Sequence, residues 1–341
     1  MRKVLRAAAV AALTSTAITA AVATPAAAQD NPFAGGKALT MIIGFGAGGG
    51  YDLWGRTVGR HIGKHLPGKP STVPQNMPGA GSYNAANHIF NVAPKDGTVM
   101  GIIARDAPLG PLTGHKGARF DPMKMSWIGT PTTETNVCVA MNTAKVKKVD
   151  DLYTHELIVG ETGVGTGTRS YPKALNEILG MKFKLIAGFQ SSTNVMLAME
   201  RGEVDGICQS LDSVVSDRPD WVKTGRMIFV FQGGAAPNPT LKDVPFVVDL
   251  AKTEEQRQAI RFLYAGQAIG RPFVAPALPP ARLKMLRDAF MATMNDKDFR
   301  SEAAKLKLDV DPTDGAGLEK IVRDIYATPP HIVKKVGELI K

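Results

Sequence analysis

Four short loops rich in glycine and hydroxyl residues have the residue types of a binding site. They occupy residues 46–52, 78–82, 163–168 and 188–192, each between a predicted strand and a predicted helix. Glycines let backbone N–H groups approach a ligand, and the following helix N-terminus presents unpaired donors with partial positive charge. Any single loop can be read as a simple turn. The set of four, two in each half of the pattern, predicts one anion-binding cleft.

The first loop matches the dinucleotide pattern G-x-G-x-x-G at residues 44–49, but its context does not fit. A dinucleotide site also needs an acidic residue about 20 positions later, at the end of the next strand. Residues 74–76 (Pro-Gln-Asn) supply none, and no P-loop pattern occurs elsewhere. We therefore predict no cofactor.

Catalytic and metal-binding patterns are missing as well. The two cysteines and six histidines show no metal-ligand spacing, and no G-x-S-x-G sequence occurs. We predict no metal, no catalytic residues and no enzymatic activity.

The elements that must position the loops alternate between strand and helix. Strands are predicted over 39–45, 72–73, 98–103, 156–160, 183–187 and 204–208, and Asp52 is predicted to cap a helix that runs to about residue 66. Further strands are predicted over 227–231 and 273–275, followed by helices with apolar stripes at 283–294 and 318–325. The pattern predicts an α/β fold with two lobes, each with a mostly parallel sheet.

The first 28 residues are typical of an export signal. Arg2, Lys3 and Arg6 precede an uncharged run from Ala7 to Val22, and Ala26 to Ala28 offers a cleavage site. A membrane anchor is the alternative, but the run is short and rich in Ala and Thr. No later stretch has the length of a membrane span. We predict cleavage near Ala28 and a soluble periplasmic protein.

The charge does not indicate a nucleic-acid binder. Removal of the three positive residues of the signal lowers the formal net charge from +10 to +7, and the remaining Lys and Arg are scattered. This balance favours attraction of small anions. Cys138 and Cys208 lie in apolar, strand-like runs; we expect buried free thiols, with a disulfide as the alternative left open.

Several segments, in this order, resemble one family of receptors. They are residues 48–52 (GGGYD), 75–82 (QNMPGAGS), 93–98 (APKDGT), 163–168 (GVGTGT), 202–205 (GEVD) and 241–245 (LKDVP). The chain resembles the periplasmic solute receptors of tripartite tricarboxylate transporters, the Bug receptor family, from about Thr40 to its end.

The resemblance implies a two-lobed periplasmic binding protein of the Venus-flytrap type. Lobe 1 would comprise residues 30–135 and 228–341, and lobe 2 residues 136–227. Such a receptor, expected to be a monomer, closes on a small organic carboxylate and delivers it to the membrane subunits of a transporter. The acid could be a di- or tricarboxylate or an aromatic acid.

The resemblance also implies which residues meet the ligand. The candidates from the first three loops are Gly50, Tyr51, Asp52, Gly81, Ser82, Thr166, Gly167 and Thr168. Gln190 is a further candidate that comes from the fourth loop itself and not from the resemblance. Asp205 matches a family position where it would orient a ligand group or a water, and its alternative role is that of a loop or cap residue.

Three residues depart from the family pattern or add to it. Tyr51 replaces the usual Thr or Ser, and could stack on a bulky acid or simply pack. Arg271 lies where the chain should pass near the hinge, and could bind a second carboxylate; its alternative is a surface salt bridge. Arg105, after the third strand, is a weaker candidate for the same role.

Two other functions remain as alternatives. A sensory receptor would use the same cleft to signal to a partner, and the sequence does not separate it from a transport receptor. An exported α/β enzyme that acts on an acid is less favoured, because it would need a nucleophile or a metal that the sequence does not show.

Overall fold

The computed structural model describes residues 31–340, and the predicted export signal lies outside these residues. Both sheets of the protein belong to one compact unit that starts at Pro32. The strands are β1 (Leu39–Ile43), β2 (Thr72–Asn76), β3 (Val99–Ile102), β4 (Ser126–Thr130), β5 (Asn136–Met141), β6 (Leu157–Gly160), β7 (Phe183–Ile186), β8 (Gly206–Ser210), β9 (Met227–Gly233), β10 (Phe273–Ala275) and β11 (Thr313–Asp314). The helices are α1 (Gly50–Ile62), α2 (Tyr83–Asn91), α3 (Leu109–Leu112), α4 (Gly167–Leu179), α5 (Ser192–Glu200), α6 (Leu211–Asp217), α7 (Pro219–Lys223), α8 (Glu254–Leu263), α9 (Pro280–Asn295), α10 (Lys297–Lys305), α11 (Gly315–Tyr326) and α12 (Pro330–Ile340).

The strands form two mixed sheets. The six-stranded sheet has the order β11-β4-β10-β3-β1-β2, and the five-stranded sheet the order β7-β6-β8-β5-β9. β1 pairs in parallel with β2 and β3, and β6 pairs in parallel with β7 and β8. These parallel strands are the ones predicted from the strand-loop-helix pattern, and the remaining strands pair antiparallel. The α/β class and the two-sheet organisation are confirmed.

The five-stranded sheet extends beyond the segment predicted for lobe 2. Its edge strand β9 ends at Gly233, whereas the predicted boundary falls between 227 and 228. β9 pairs with β5 over six residues of β5, so the chain returns to the six-stranded sheet only after this strand.

Helices cover the sheets with apolar stripes at helical spacing. In α1, Trp54, Val58 and Ile62 are fully buried, and they share one cluster with Phe290 and Phe299 from α9 and α10. Residues four apart fall on one helix face, which explains why these side chains enter a single core. Packing on this face fixes where the N-terminus of α1 points.

A disulfide joins Cys138 to Cys208 and corrects the expectation of free thiols. The two residues are direct partners in the antiparallel pair of β5 and β8, and both are fully buried. The sequence placed both in strands but could not show that these strands are neighbours. The bond ties two central strands of the five-stranded sheet across 70 residues of sequence.

Over residues 31–340, no helix has both the length and the apolar character needed to cross a bilayer.

We expect the double substitution Cys138→Ala with Cys208→Ala to lower the free energy of unfolding by roughly 4 kcal/mol, because the crosslink restricts a long loop in the unfolded chain. Urea unfolding of the oxidised protein and of the variant measures the difference. Thiol titration of the denatured, unreduced protein should find no free thiol; two reactive thiols per chain would contradict the bond.

Candidate functional site

The carboxyl ends of the parallel strands meet between the two sheets and enclose a small cavity. The cavity has a volume of about 60 Å³, which is room for only a few waters. The six-stranded side contributes Phe45, Gly49, Gly50, Tyr51, Ala104, Arg105, Asp106, Gln267 and Arg271. The five-stranded side contributes Asn136, Thr162, Thr166, Gly167, Thr168, Tyr171, Ser191, Ser192, Cys208, Gln209, Ser210 and Ser213.

Three helix N-termini border this cavity. Gly49 and Gly50 begin α1, Thr166 and Gly167 begin α4, and Ser191 and Ser192 begin α5. The first N–H groups of each helix have no partner within the helix and carry partial positive charge. Their convergence makes the cavity suited to a small anion.

A cluster of threonine hydroxyls adds polar groups next to α4. The hydroxyls of Thr166 and Thr168 lie 2.7 Å apart, and that of Thr168 also accepts the backbone N–H of Thr162 at 2.9 Å. The cluster is held by its own hydrogen bonds, so these hydroxyls reach the cavity in fixed positions.

Arg271 binds carboxylates and hydroxyls on both sides through its Nε and Nη2. Its Nη2 donates to Asp212 Oδ1 at 2.9 Å and to Ser213 Oγ at 2.7 Å, and also to the hydroxyl of Ser210. Its Nε donates to Glu134. Because the side chain is only 2% exposed, this is a buried ion pair and not the surface salt bridge considered from sequence.

Arg105 shares the same carboxylate. Its Nη1 donates to Glu134 Oε2 at 3.0 Å and to Gln267 Oε1 at 2.7 Å. Burial raises the pKa of Glu134, while the guanidiniums of Arg105 and Arg271 on either side of it lower the pKa and limit the rise. One buried carboxylate thus serves two buried guanidiniums.

Tyr51 lies between the two arginines. Its ring stacks on Phe45 at 4.4 Å between centroids, and the guanidinium of Arg271 lies 4.5 Å from the ring centroid. Its hydroxyl accepts the backbone N–H and Nε–H of Arg105 at 3.0 and 3.2 Å. The packing interpretation of Tyr51 accounts for these contacts, and the residue also lines the cavity.

Asp106 places a carboxylate at the N-terminus of α4. Its Oδ1 accepts the hydroxyl of Tyr171 at 2.9 Å, and its side chain also accepts the N–H of Gly167. Burial raises the pKa of Asp106 to about 6, although Arg105 and the Tyr171 hydroxyl favour the ionised form. This carboxylate therefore titrates close to neutral pH and uses one of the helix donors itself.

The pKa of Asp212 is shifted in the opposite direction to that of Asp106. Burial opposes its ionisation, but Arg271 and the indole N–H of Trp54 outweigh that cost and lower its pKa to about 2. Asp212 therefore stays ionised at neutral pH and holds Arg271 from the five-stranded side.

Further contacts close the cleft around the cavity. The hydroxyl of Thr193 donates to the carbonyl of Gly48 at 2.6 Å, and the N–H of Gly46 donates to the carbonyl of Gln190 at 3.1 Å. Gly81 approaches the carbonyl of Val164 so closely that a Cβ would lie 1.9 Å from its oxygen. The loops of the two sheets therefore touch directly.

Three solved structures share this architecture. MatC (Rpa3494) from Rhodopseudomonas palustris with bound malate matches with a TM-score of 0.68 and 17% identity over 89% of this chain and 99% of that chain. The periplasmic binding protein BugD matches with a TM-score of 0.70 and 18% identity over 88% and 97%. Rpa4515 from R. palustris with adipate matches with a TM-score of 0.68 and 15% identity over 88% and 97%.

The chain has the fold of these periplasmic binding proteins. The fold implied by the resemblance to the tripartite tricarboxylate receptors is thus confirmed. No protein-family model and no curated protein sequence matches the chain. Within residues 31–340, no group of three or more His, Cys, Asp and Glu side chains is arranged to hold a metal ion.

The structure brings seven of the twelve predicted ligand residues to the cavity. They are Gly50, Tyr51, Arg105, Thr166, Gly167, Thr168 and Arg271. The two arginines, however, already bind carboxylates of the protein. Arg271 therefore does not offer a free bidentate fork to a second ligand carboxylate, as its predicted role required.

Asp52 and Asp205 lie outside the cavity lining and have structural partners. Asp52 is the third residue of α1 and not its cap; its carboxylate accepts the N–H of Gly48 and binds Arg56 and Asn76. Asp205 precedes β8, and its Oδ2 accepts the N–H of Ile158 at 3.4 Å. The role of a loop residue, considered for Asp205 as its alternative, fits this contact to a strand N–H.

Gly81, Ser82 and Gln190 also lie outside the main cavity. Ser82 and Gln190 line a separate crevice between the second, third and fourth loops. The hydroxyl of Ser82 accepts the N–H of Ala104, and the carbonyl of Gln190 accepts that of Gly46. These residues hold the loops in place around the site.

Sequence reasoning missed the polar residues that complete the site, namely Asp106, Glu134, Asn136, Tyr171, Gln209, Asp212, Ser213 and Gln267. Asp106 follows Arg105 directly after β3, so its position at a strand end was a usable signal. Glu134 and Asn136 flank the start of an antiparallel strand, and only its pairing with β8 reveals that this end faces the cavity.

We expect Glu134→Gln to lower the free energy of unfolding by about 3 kcal/mol or more, because two buried guanidiniums would lose their shared carboxylate. Chemical denaturation measures the loss. The matched control is Glu203→Gln, which breaks the exposed ion pair with Arg201 and should leave stability nearly unchanged. Equal effects of the two variants would contradict a buried charge cluster.

Asp106 should make stability depend on pH. The pKa of Asp106 in the folded protein, about 6, exceeds the usual 3.8, so the folded state binds this proton more tightly than the unfolded state does. The stability that the bound proton adds is complete below pH 4 and is lost as the pH rises through 6. Relative to wild type, Asp106→Asn should therefore gain about 3 kcal/mol of stability between pH 4 and pH 7. Denaturation across this range measures it, with the exposed Asp288→Asn as control; parallel curves for Asp106→Asn and wild type would refute the shift.

Proposed function

We propose that the protein is a periplasmic solute-binding protein that captures a small organic carboxylate between two lobes and delivers it to the membrane subunits of a tripartite transporter. The observation that carries this proposal is the convergence of three helix N-termini on one buried cavity. Burying an anion is costly unless donors surround it, and these helices supply them. MatC and Rpa4515, which share the fold, were solved with malate and adipate.

The carboxylate would bind chiefly at α1 and α5. The first turn of α5 contains no acidic residue, and its N-cap Ser191 already satisfies the N–H of Asn194. At α4, by contrast, Asp106 already accepts the N–H of Gly167. The first turn of α1 contains Asp52, but Arg56 pairs with this carboxylate at 2.8 Å. The N–H of Ser192 and those at the start of α1 are therefore the donors that favour an external anion.

Closure around the carboxylate would be a movement of two lobes. We propose lobe 1 as residues 30–135 and 228–341 and lobe 2 as residues 136–227, with β9 crossing over to pair with β5 as the edge strand of the five-stranded sheet. Arg271, Trp54 and Gly48 from one side meet Ser213, Asp212 and Thr193 from the other, so these bonds would form on closure and break on release. The proposed cycle is binding and release, without chemical change of the ligand.

A thermal-shift screen should identify the ligand class, because a ligand that binds only the native state raises the melting temperature. We expect at least one acid from a panel of aliphatic mono-, di- and tricarboxylates and aromatic acids to stabilise refolded, ligand-free protein. Alcohols and amines with the same carbon skeletons serve as controls. Failure of every acid, or equal shifts with the alcohols, would overturn the proposal.

The substitution Ser192→Pro tests the helix donor itself. Ser192 is the first residue of α5 and Ser191 has extended backbone, so proline fits there and removes one N–H. We expect the affinity for the best acid of the screen to fall roughly 10- to 100-fold, as for loss of a hydrogen bond to a charged group. Lys297→Pro, the equivalent change at the first residue of α10, is the control and should leave the affinity unchanged.

A further inference from the structure

We propose that the ligand carries a single carboxylate and, at its other end, an uncharged group of the amide type that both donates and accepts hydrogen bonds. This inference rests on the proposed function and narrows its ligand class. Two observations support it: buried amide groups without partners line the cavity, and the charges around the cavity are already balanced.

Gln209 and Asn136 are the amides in question. Both line the cavity, and their exposed fractions are 5% and 2%. Neither Nε2 nor Oε1 of Gln209 has a hydrogen-bond partner among the described residues, and neither does Oδ1 of Asn136. Gln209 pairs with Val137 and Asn136 pairs with Ser210, so the two side chains leave their strands on opposite faces of the sheet. Buried polar groups are nearly always paired, so the donor and the acceptor that Gln209 leaves open beside the cavity point to a ligand with matching groups.

An amide fits these groups better than a carboxylate does. An ionised carboxylate only accepts, so it could meet the Nε2–H of Gln209 but would leave Oε1 of the same side chain without a donor. An amide NH₂ donates to Oε1 while its carbonyl accepts from Nε2. An alkyl end would satisfy neither type of group.

The charges near the cavity also disfavour a second carboxylate. Of the described residues that line the cavity, Arg105 and Arg271 are the only cations, and Glu134 and Asp212 neutralise them. Asp106 adds a further negative group. The remaining positive potential comes from helix N-termini, which suit one carboxylate.

The disulfide holds the two amides in place. Cys138 lies two residues after Asn136, and Cys208 immediately precedes Gln209. Because the bond joins directly opposed residues of β5 and β8, it fixes the register at the ends of the strands that carry both amides. The amides are thus presented by a rigid part of the sheet.

Calorimetry at pH 7.5 with three matched probes of each length tests the inference. One set has five carbons from the carboxylate to the carbon that bears the variable end: glutaramate (the monoamide), glutarate, and 5-methylhexanoate, in which two methyl groups replace the amide oxygen and nitrogen. Sets one carbon shorter and one carbon longer complete the series. At the best length we expect the monoamide to bind at least about 10-fold more tightly than either analogue. A dicarboxylate that binds as tightly or more tightly would overturn this inference and leave the proposed function standing.

Two substitutions test whether Gln209 causes the preference for the monoamide. Gln209→Leu should remove most of the preference for the monoamide over the branched acid, while Gln258→Leu, an exposed glutamine on α8, should preserve it. An unchanged preference in Gln209→Leu would overturn the role of Gln209. If that variant does not fold, the ratios measured on the wild-type protein decide alone. If no carboxylate binds, including those of the wider screen, the proposed function itself fails.

Discussion

Two guanidinium groups buried between the sheets are the constraint on which the rest of the site depends. An unpaired buried charge costs several kcal/mol, so Arg105 and Arg271 can be buried only where carboxylates reach them. Glu134 supplies both of its oxygens to them from the start of the antiparallel strand β5, and Asp212 comes from the five-stranded side. These bonds bring the loops of both sheets together, and the cavity is the space left between them.

In this arrangement, the charged side chains that hold the two sheets together are different from the groups that would face an anion. The arginines and their carboxylates cancel one another, which leaves the neutral dipoles of α1, α4 and α5 to face an anion. A backbone N–H donor keeps its geometry and does not titrate, whereas a free arginine would attract any anion from solution. Selectivity then depends on the groups opposite the donors, and Asp106, with its pKa near 6, adds a titratable carboxylate beside them.

The sequence predicted the local features of this site and missed the long-range ones. Glycine loops after parallel strands followed from spacing, and Gly50, Thr166 and Thr168 do line the cavity. The sequence could not show that Asp52 turns back to Gly48, or that Cys138 faces Cys208, because both depend on pairing and packing between distant elements. The antiparallel strand β5 posed the same problem. It faces the site with its first residue, Asn136, and no local feature of the sequence marks that side of the strand.

In the proposed cycle of lobe closure, the buried amides would link binding energy to closure. If the lobes closed on an empty cleft, Gln209 and Asn136 would lose water without gaining partners, at roughly 1–3 kcal/mol for each unsatisfied group. The bonds of Arg271 to Ser213 and of Trp54 to Asp212 favour closure and oppose this cost. A ligand that satisfies the amides removes the penalty and shifts the balance toward the closed form, since it stabilises that form by its differential affinity for it. The same groups would therefore serve both to select the ligand and to make closure depend on it.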